Sequence, residues 1–211
     1  NVYCAEVEAA VRAGVAVASV DYRHAPEARF PAAADDALAA VAWWAEHAAE
    51  HGCRADALLI GGWSAGGNLA AVTAGSYAGP LAGQVLLTPV TDHDMTRASY
   101  VDNAEGYVLT ASLMGWFWDH YCDTSDRSDP RASPLLAPHL ADLPPTVVMT
   151  CQFDPLRDEG RAYAAALAEA GVTVTHLEAR GHTHTSLTMV GVLPSGAEHR
   201  EALAHAIRSL V

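Results

Sequence analysis

Positive charge is scarce in this chain. Twelve lysines and arginines stand against 25 aspartates and glutamates, a formal net charge of −13 at pH 7. That balance argues against nucleic acid and anionic membranes as partners, because phosphates would be repelled. Long apolar runs are missing too. No segment approaches the roughly 18 consecutive apolar residues that span a bilayer. The opening Asn1-Val2-Tyr3-Cys4 lacks the basic region and apolar run of a secretory leader, so a cytoplasmic location is expected. Cysteine is sparse and scattered. Cys4, Cys53, Cys122 and Cys151 form no Cys-x-x-Cys pair and no zinc-ligand spacing, and read as free thiols.

The remaining composition is that of a globular domain. Hydrophobic residues make up 51% of the 211 and charged residues 18%, which suits one domain with a substantial core. Asn1 to Ala13 reads as an amphipathic helix, so the chain begins inside a packed element. Val15 to Val20 is β-branched and apolar, the pattern of a strand buried on both faces. An Ala-rich helix is expected from Ala32 to His51, stopped by Gly52. Strands are expected at Ala57–Gly61, Gln84–Thr88, Thr146–Cys151 and Val172–Leu177. Helices are expected at Asn68–Ser76, Arg157–Ala170 and Ser195–Leu210. The stretch from Thr91 to His139 breaks the rhythm, with one aromatic helix near Ser112–Cys122, and reads as a cap-like insertion over the sheet's carboxyl edge. Strand alternating with helix predicts an α/β fold, a mostly parallel sheet with right-handed crossovers and helices on both faces. Sites in such sheets lie beyond the carboxyl ends of the strands.

Gly62-Trp63-Ser64-Ala65-Gly66 fits G-x-S-x-G. A strand that turns at once into a helix leaves no room for large neighbours, and it projects the serine hydroxyl outward. The Ala65 N–H, opening the helix, is then aimed where an oxyanion would form. Serine needs a base, normally histidine, and the histidine an orienting acid. His182 and His184 both follow the last expected strand. Asp154 closes the strand before it and is the expected orienting acid. Asp158 and Glu159 fall in the first turn of a helix, where the dipole favours negative charge, and are expected as a solvated helix start. His182-Thr183-His184 and Asp92-His93-Asp94 carry metal-ligand residue types but no convincing third ligand, so no metal is expected. Trp116, Phe117, Trp118 and Tyr121 can wall an acyl pocket or pack the insertion. Trp63, Val90 and Leu156 are the other expected pocket residues.

Three segments together resemble the hormone-sensitive-lipase-like esterases of the α/β-hydrolase fold. They are Val20-Asp21-Tyr22-Arg23-His24-Ala25-Pro26-Glu27, Ser64-Ala65-Gly66-Gly67-Asn68-Leu69-Ala70, and Asp154-Pro155-Leu156-Arg157-Asp158-Glu159-Gly160. The resemblance implies hydrolysis of short-to-medium acyl esters without cofactor, by Ser64 and Asp154. It implies His184 rather than His182, because the family's loop has glycine three residues before its histidine, as Gly181 stands here. It also implies a homodimer through the last strand and C-terminal helix. The chain departs in three places. Trp63 stands where the family often has aspartate, Thr185-Ser186 follow the histidine, and the family's His-Gly-Gly-Gly oxyanion loop, expected upstream of Asn1, does not occur within the 211 residues. Those departures leave a second reading, a non-catalytic relative that binds a small molecule or partner.

Overall fold

The computed structural model describes residues 5–189 and 191–211. Four parallel strands form one sheet in the order β1-β2-β3-β4. They are β1 (Leu59–Trp63), β2 (Gly83–Leu87), β3 (Thr146–Phe153) and β4 (Val174–Thr183). Helices α1 (Ala5–Arg12), α2 (Ala32–His47), α3 (Ala65–Ser76), α4 (Ala98–Asp102), α5 (Ala111–Tyr121), α6 (Arg157–Glu169) and α7 (Gly196–Arg208) complete the regular structure. Asn1 to Cys4, the start of the expected first helix, lie outside the described residues.

The central strands alternate between two buried faces. Val85, Leu87, Val147 and Met149 turn to one side, where Leu203, Ala204 and Ile207 of α7 and Ala9 of α1 cover them. Leu86 and Val148 turn to the other, against Ala70 and Ala71 of α3 and Tyr163, Ala164 and Leu167 of α6. Every ladder is parallel; β1–β2 and β2–β3 keep one register throughout, and β3–β4 shifts register between Cys151 and Phe153. A parallel sheet covered on both faces explains why its strands read as continuous apolar runs rather than alternating ones. Arg200 of α7, almost buried, reaches Glu8 of α1 at 2.9 Å and ties the two covering helices together.

Two expectations fail. Val15–Val20 is not a strand but a segment without regular structure, largely exposed, with Val17 at 47% and Val20 at 44%. A strand is stable only with a neighbour, and among the described residues none pairs with this run. Its valines forgo much of the roughly 1.5–3 kcal/mol that full burial of each would contribute. The last strand is longer than expected and reaches Thr183, so His182 lies within it rather than in a loop. The cause is β3, which continues to Phe153 and offers Ala179 and Thr183 ladder partners at Cys151 and Phe153.

Between β2 and β3 the chain leaves the sheet. Residues 91–139 hold α4, α5 and short 3₁₀ turns, and build a separate apolar cluster from Tyr100, Leu109, Met114, Trp118, Cys122 and Ala132. Leu156, just after β3, packs into that cluster, which places it over the carboxyl ends of the strands.

Candidate active site

The turn from β1 into α3 is built by close contact. Ser64 has φ 57° and ψ −116°, a backbone state that costs about 1–3 kcal/mol for a residue other than glycine. The end of β2 and the first turn of α3 hold it there. Its N–H donates to the Leu87 carbonyl at 2.8 Å, and its carbonyl accepts the Asn68 N–H at 3.0 Å. A Cβ at Gly62 would lie 2.3 Å from the Gly66 backbone, and one at Gly67 would lie 3.0 Å from Pro89 Cβ. A Cβ at Gly66 would meet nothing within 4 Å. The steric demand therefore falls on Gly62 and Gly67, not on both glycines of the five-residue pattern.

The turn lifts the Ser64 hydroxyl beyond the sheet's carboxyl edge. There Ser64 Oγ lies 3.0 Å from His184 Nε2, and His184 Nδ1 lies 2.8 Å from Asp154 Oδ2. Asp154 is fully buried and His184 nearly so. The other Asp154 oxygen, Oδ1, accepts the Leu156 N–H at 2.9 Å, which fixes the carboxylate plane. A carboxylate can only accept, so Nδ1 carries the imidazole proton and Nε2 is left to accept from Ser64. The Trp63 ring packs against the His184 ring at 5.0 Å and limits its rotation. His182 does not join this group. Its Nδ1 pairs with Ser186 Oγ at 2.8 Å, and burial lowers its pKa, which favours the neutral ring.

Ala65 is the first residue of α3, and its N–H meets no acceptor among the described residues. A helix N-terminus with a free N–H is suited to an anion. Ala65 and Ser64 both line a cavity of about 330 Å³. Val90 lines it, as do Trp116, Phe117, Trp118 and Tyr121. Trp118 and Tyr121 also pack the apolar cluster of residues 91–139, so the aromatic group walls the cavity and packs the insertion at once. Trp63 and Leu156 do not line this cavity. Trp63 lies on the α7 side of the sheet, beneath His184 and beside Leu203. Leu156 is buried behind the wall, against Met114 and Trp118.

Glu159 departs furthest from expectation. It is fully buried rather than solvated, and burial pushes its carboxyl up to about 8 against three hydrogen-bond donors that pull it down. Asp158 is partly exposed and held by Arg157, Arg161 and the Ser99 N–H, and its pKa is lowered, first by the Arg157 hydrogen bond. Asp92 is paired with Arg97 at 2.5 Å, and His93 Nδ1 lies 3.3 Å from Ser133 Oγ. Among the described residues, no group of three or more His, Cys, Asp or Glu side chains is placed to hold a metal ion. Cys53, Cys122 and Cys151 are free thiols, and Cys4 lies outside the described residues. No described helix is long and apolar enough to cross a membrane.

A serine on a strained strand-to-helix turn, beside histidine and aspartate at the sheet's carboxyl edge, is the arrangement of the nucleophile turn in α/β hydrolases. Comparison with known proteins agrees: residues 4–188 match the alpha/beta hydrolase fold family, and the chain belongs to it. The chain is 40% identical over 192 residues to an ethyl acetate hydrolase of Pseudomonas putida, a match covering 88% of this chain and 60% of that one. It is 40% identical over 209 residues to the carboxylic ester hydrolase LipN of Mycobacterium tuberculosis, covering 93% of this chain and 55% of LipN. Among solved structures it superposes on a thermostable esterase from Pseudomonas putida with TM-score 0.90 and 40% identity, over 98% of this chain and 66% of that one. A thermostable carboxylesterase from a metagenomic library gives TM-score 0.91 at 37% identity, over 98% and 72%. The chain thus spans 60% and 55% of the length of those two curated relatives.

Proposed function

We propose that this protein is a serine carboxylesterase of the hormone-sensitive-lipase-like type. The observation that carries the reading is the continuous hydrogen-bonded line Ser64–His184–Asp154, with spacings of 3.0 and 2.8 Å. His184 Nε2 takes the proton as Ser64 Oγ attacks the ester carbonyl. Asp154 holds the ring in that tautomer and offsets the imidazolium charge. The Ala65 N–H donates to the developing oxyanion. His184 then returns the proton to the leaving alcohol, and water attacks the acyl-serine by the same route.

The substrate range follows from the cavity. At about 330 Å³ and walled by Val90 and the α5 aromatics, it suits short-to-medium acyl chains, with residues 91–139 acting as a small cap. A panel of p-nitrophenyl acetate, butyrate, octanoate and palmitate tests this directly. Turnover should be highest for the two shorter esters and weak for palmitate. No turnover of any ester above buffer would sink the esterase reading and leave the binding-protein alternative. We also infer a homodimer through β4 and α7, the face that the family resemblance implies; β4, like β1, carries a ladder partner on one side only among the described residues. Sedimentation at micromolar concentration should give twice the 22.2 kDa chain mass. A single-chain mass would refute the dimer.

A further inference from the structure

Glu159 has no role in the proton path above, yet it is the one fully buried carboxyl group besides Asp154 among the described residues. Its Oε1 accepts two backbone N–H groups, from Thr91 at 2.7 Å and Asp92 at 3.3 Å. Its Oε2 accepts the Tyr100 hydroxyl at 3.0 Å. The Thr91 hydroxyl returns the contact, donating to the Glu159 carbonyl at 3.0 Å. Three hydrogen bonds therefore fasten the first turn of α6 to Thr91 and Asp92 after β2, and a fourth ties it to Tyr100 of α4.

Both ends of that fastening lead to the site. On one side, α6 begins three residues after Asp154, whose carbonyl accepts from Arg157 N and from Asn103 Nδ2. On the other, Thr91 follows Val90, whose N–H approaches the Ser64 carbonyl at 3.4 Å. The Val90 carbonyl accepts Asn68 Nδ2 at 2.9 Å, from the first turn of the nucleophile helix. The turn between β2 and Thr91 is itself strained, with Thr88 at φ 42°, so it will not keep this path without support.

We propose that Glu159 is a positioning residue that sets the separation between the Asp154–His184 pair and Ser64. It acts by reach, through two N–H groups held on Oε1. The inference rests on the esterase reading of the site. Burial raises the carboxyl's pKa, and in either protonation state Oε1 can accept both N–H groups. Glutamine keeps the acceptor for both N–H groups, with its amide oxygen in place of Oε1, while its NH₂ replaces Oε2 and donates to the Tyr100 hydroxyl instead of accepting from it. Aspartate keeps the acid but is one methylene too short to span from α6 to Thr91.

The test is steady-state kinetics on Glu159→Gln, Glu159→Asp and Glu159→Ala with p-nitrophenyl butyrate, with folding checked by circular dichroism. A misplacement of about 1 Å can cost about 10²-fold in rate. On that scale kcat should fall roughly threefold in Glu159→Gln, roughly tenfold in Glu159→Asp and about 10²-fold in Glu159→Ala, with KM moving less than kcat. A folded Glu159→Ala with wild-type kcat would overturn the proposal. If the alanine variant does not fold, the order of the other two decides: glutamine above aspartate supports positioning by reach, and equality or the reverse order overturns it. Wild-type protein without Ser64-dependent turnover is a different failure, and it would remove the esterase reading itself.

Discussion

Ser64→Ala should reduce ester hydrolysis to the buffer background, a loss of about 10⁶-fold in kcat by the scale of serine hydrolases stripped of their nucleophile. The size of the effect follows from the site. Water could in principle replace the hydroxyl, with His184 as its base, but the acyl-enzyme route would be closed and no other nucleophile approaches Nε2. The fold should survive. The substitution deletes one oxygen and the 3.0 Å contact to His184, worth about 0.5–1.5 kcal/mol net. The strained φ of 57° is imposed by Gly62, Leu87 and Asn68 around the turn and does not depend on the hydroxyl. Turnover by purified Ser64→Ala, measured beside its melting temperature, checks both halves. Retained turnover would mean that another residue carries the chemistry.

Asp154→Asn should cost about 10⁴-fold in kcat while leaving the binding of ester little changed. The Leu156 N–H decides how the asparagine sits. It needs an oxygen at the Oδ1 position, so the amide NH₂ is turned toward His184 Nδ1. A donor facing Nδ1 stabilises the wrong tautomer, with the proton on Nε2, where it faces Ser64 and cannot accept. The geometry of all three residues can then be nearly native while the base is lost. The check is a pre-steady-state comparison in which substrate affinity and acylation rate are read separately. Equal loss of both, with a lowered melting temperature, would show instead that Asp154 serves mainly to hold the turn.

These effects rest on residues that could largely be found from the chain order. A G-x-S-x-G pattern set between an apolar strand and an Ala-rich helix, then an aspartate after a late strand and a histidine after the last, is a long-range pattern that few sequences meet by accident. The observed strand is displaced from its expected place, at Leu59–Trp63 rather than Ala57–Gly61, because Gly61 and Gly62 pair with Val85 and Leu86 in spite of their low strand propensity. Register with a neighbour fixed that boundary, and a single segment carries no trace of it. The choice between His182 and His184 has the same origin. Both lie near the end of β4, where a register shift against β3 and the positive φ of Gly181 interrupt the strand alternation; His182 then pairs with Ser186, and His184, just past the strand, reaches Asp154 and Ser64.

What could not be read depended on direction and neighbours. Glu159 has the type and position of a solvated first-turn glutamate. Only the fold shows that Thr91, Asp92 and Tyr100 close over it. A buried glutamate five residues beyond the orienting aspartate has no composition signal of its own. Of the expected pocket residues, Val90 faces the cavity, whereas Trp63 and Leu156 turn away from it. The difference is a matter of which face each backbone position presents. Val15–Val20 shows the converse: a run with strong local strand character stays irregular and, among the described residues, unpaired, because strand formation is a property of two segments, not one.

The central claim is that Ser64 is a nucleophile activated by His184. A fluorophosphonate, which traps an activated serine as a stable adduct, tests it most directly. Intact-mass and peptide-level spectrometry of the protein after exposure should show one adduct per chain, located on Ser64 and absent from Ser64→Ala. Formation should be far slower in His184→Ala, and it should be lost when the protein is heated before exposure. An adduct at another residue, or no adduct in protein that hydrolyses p-nitrophenyl butyrate, would contradict the assignment.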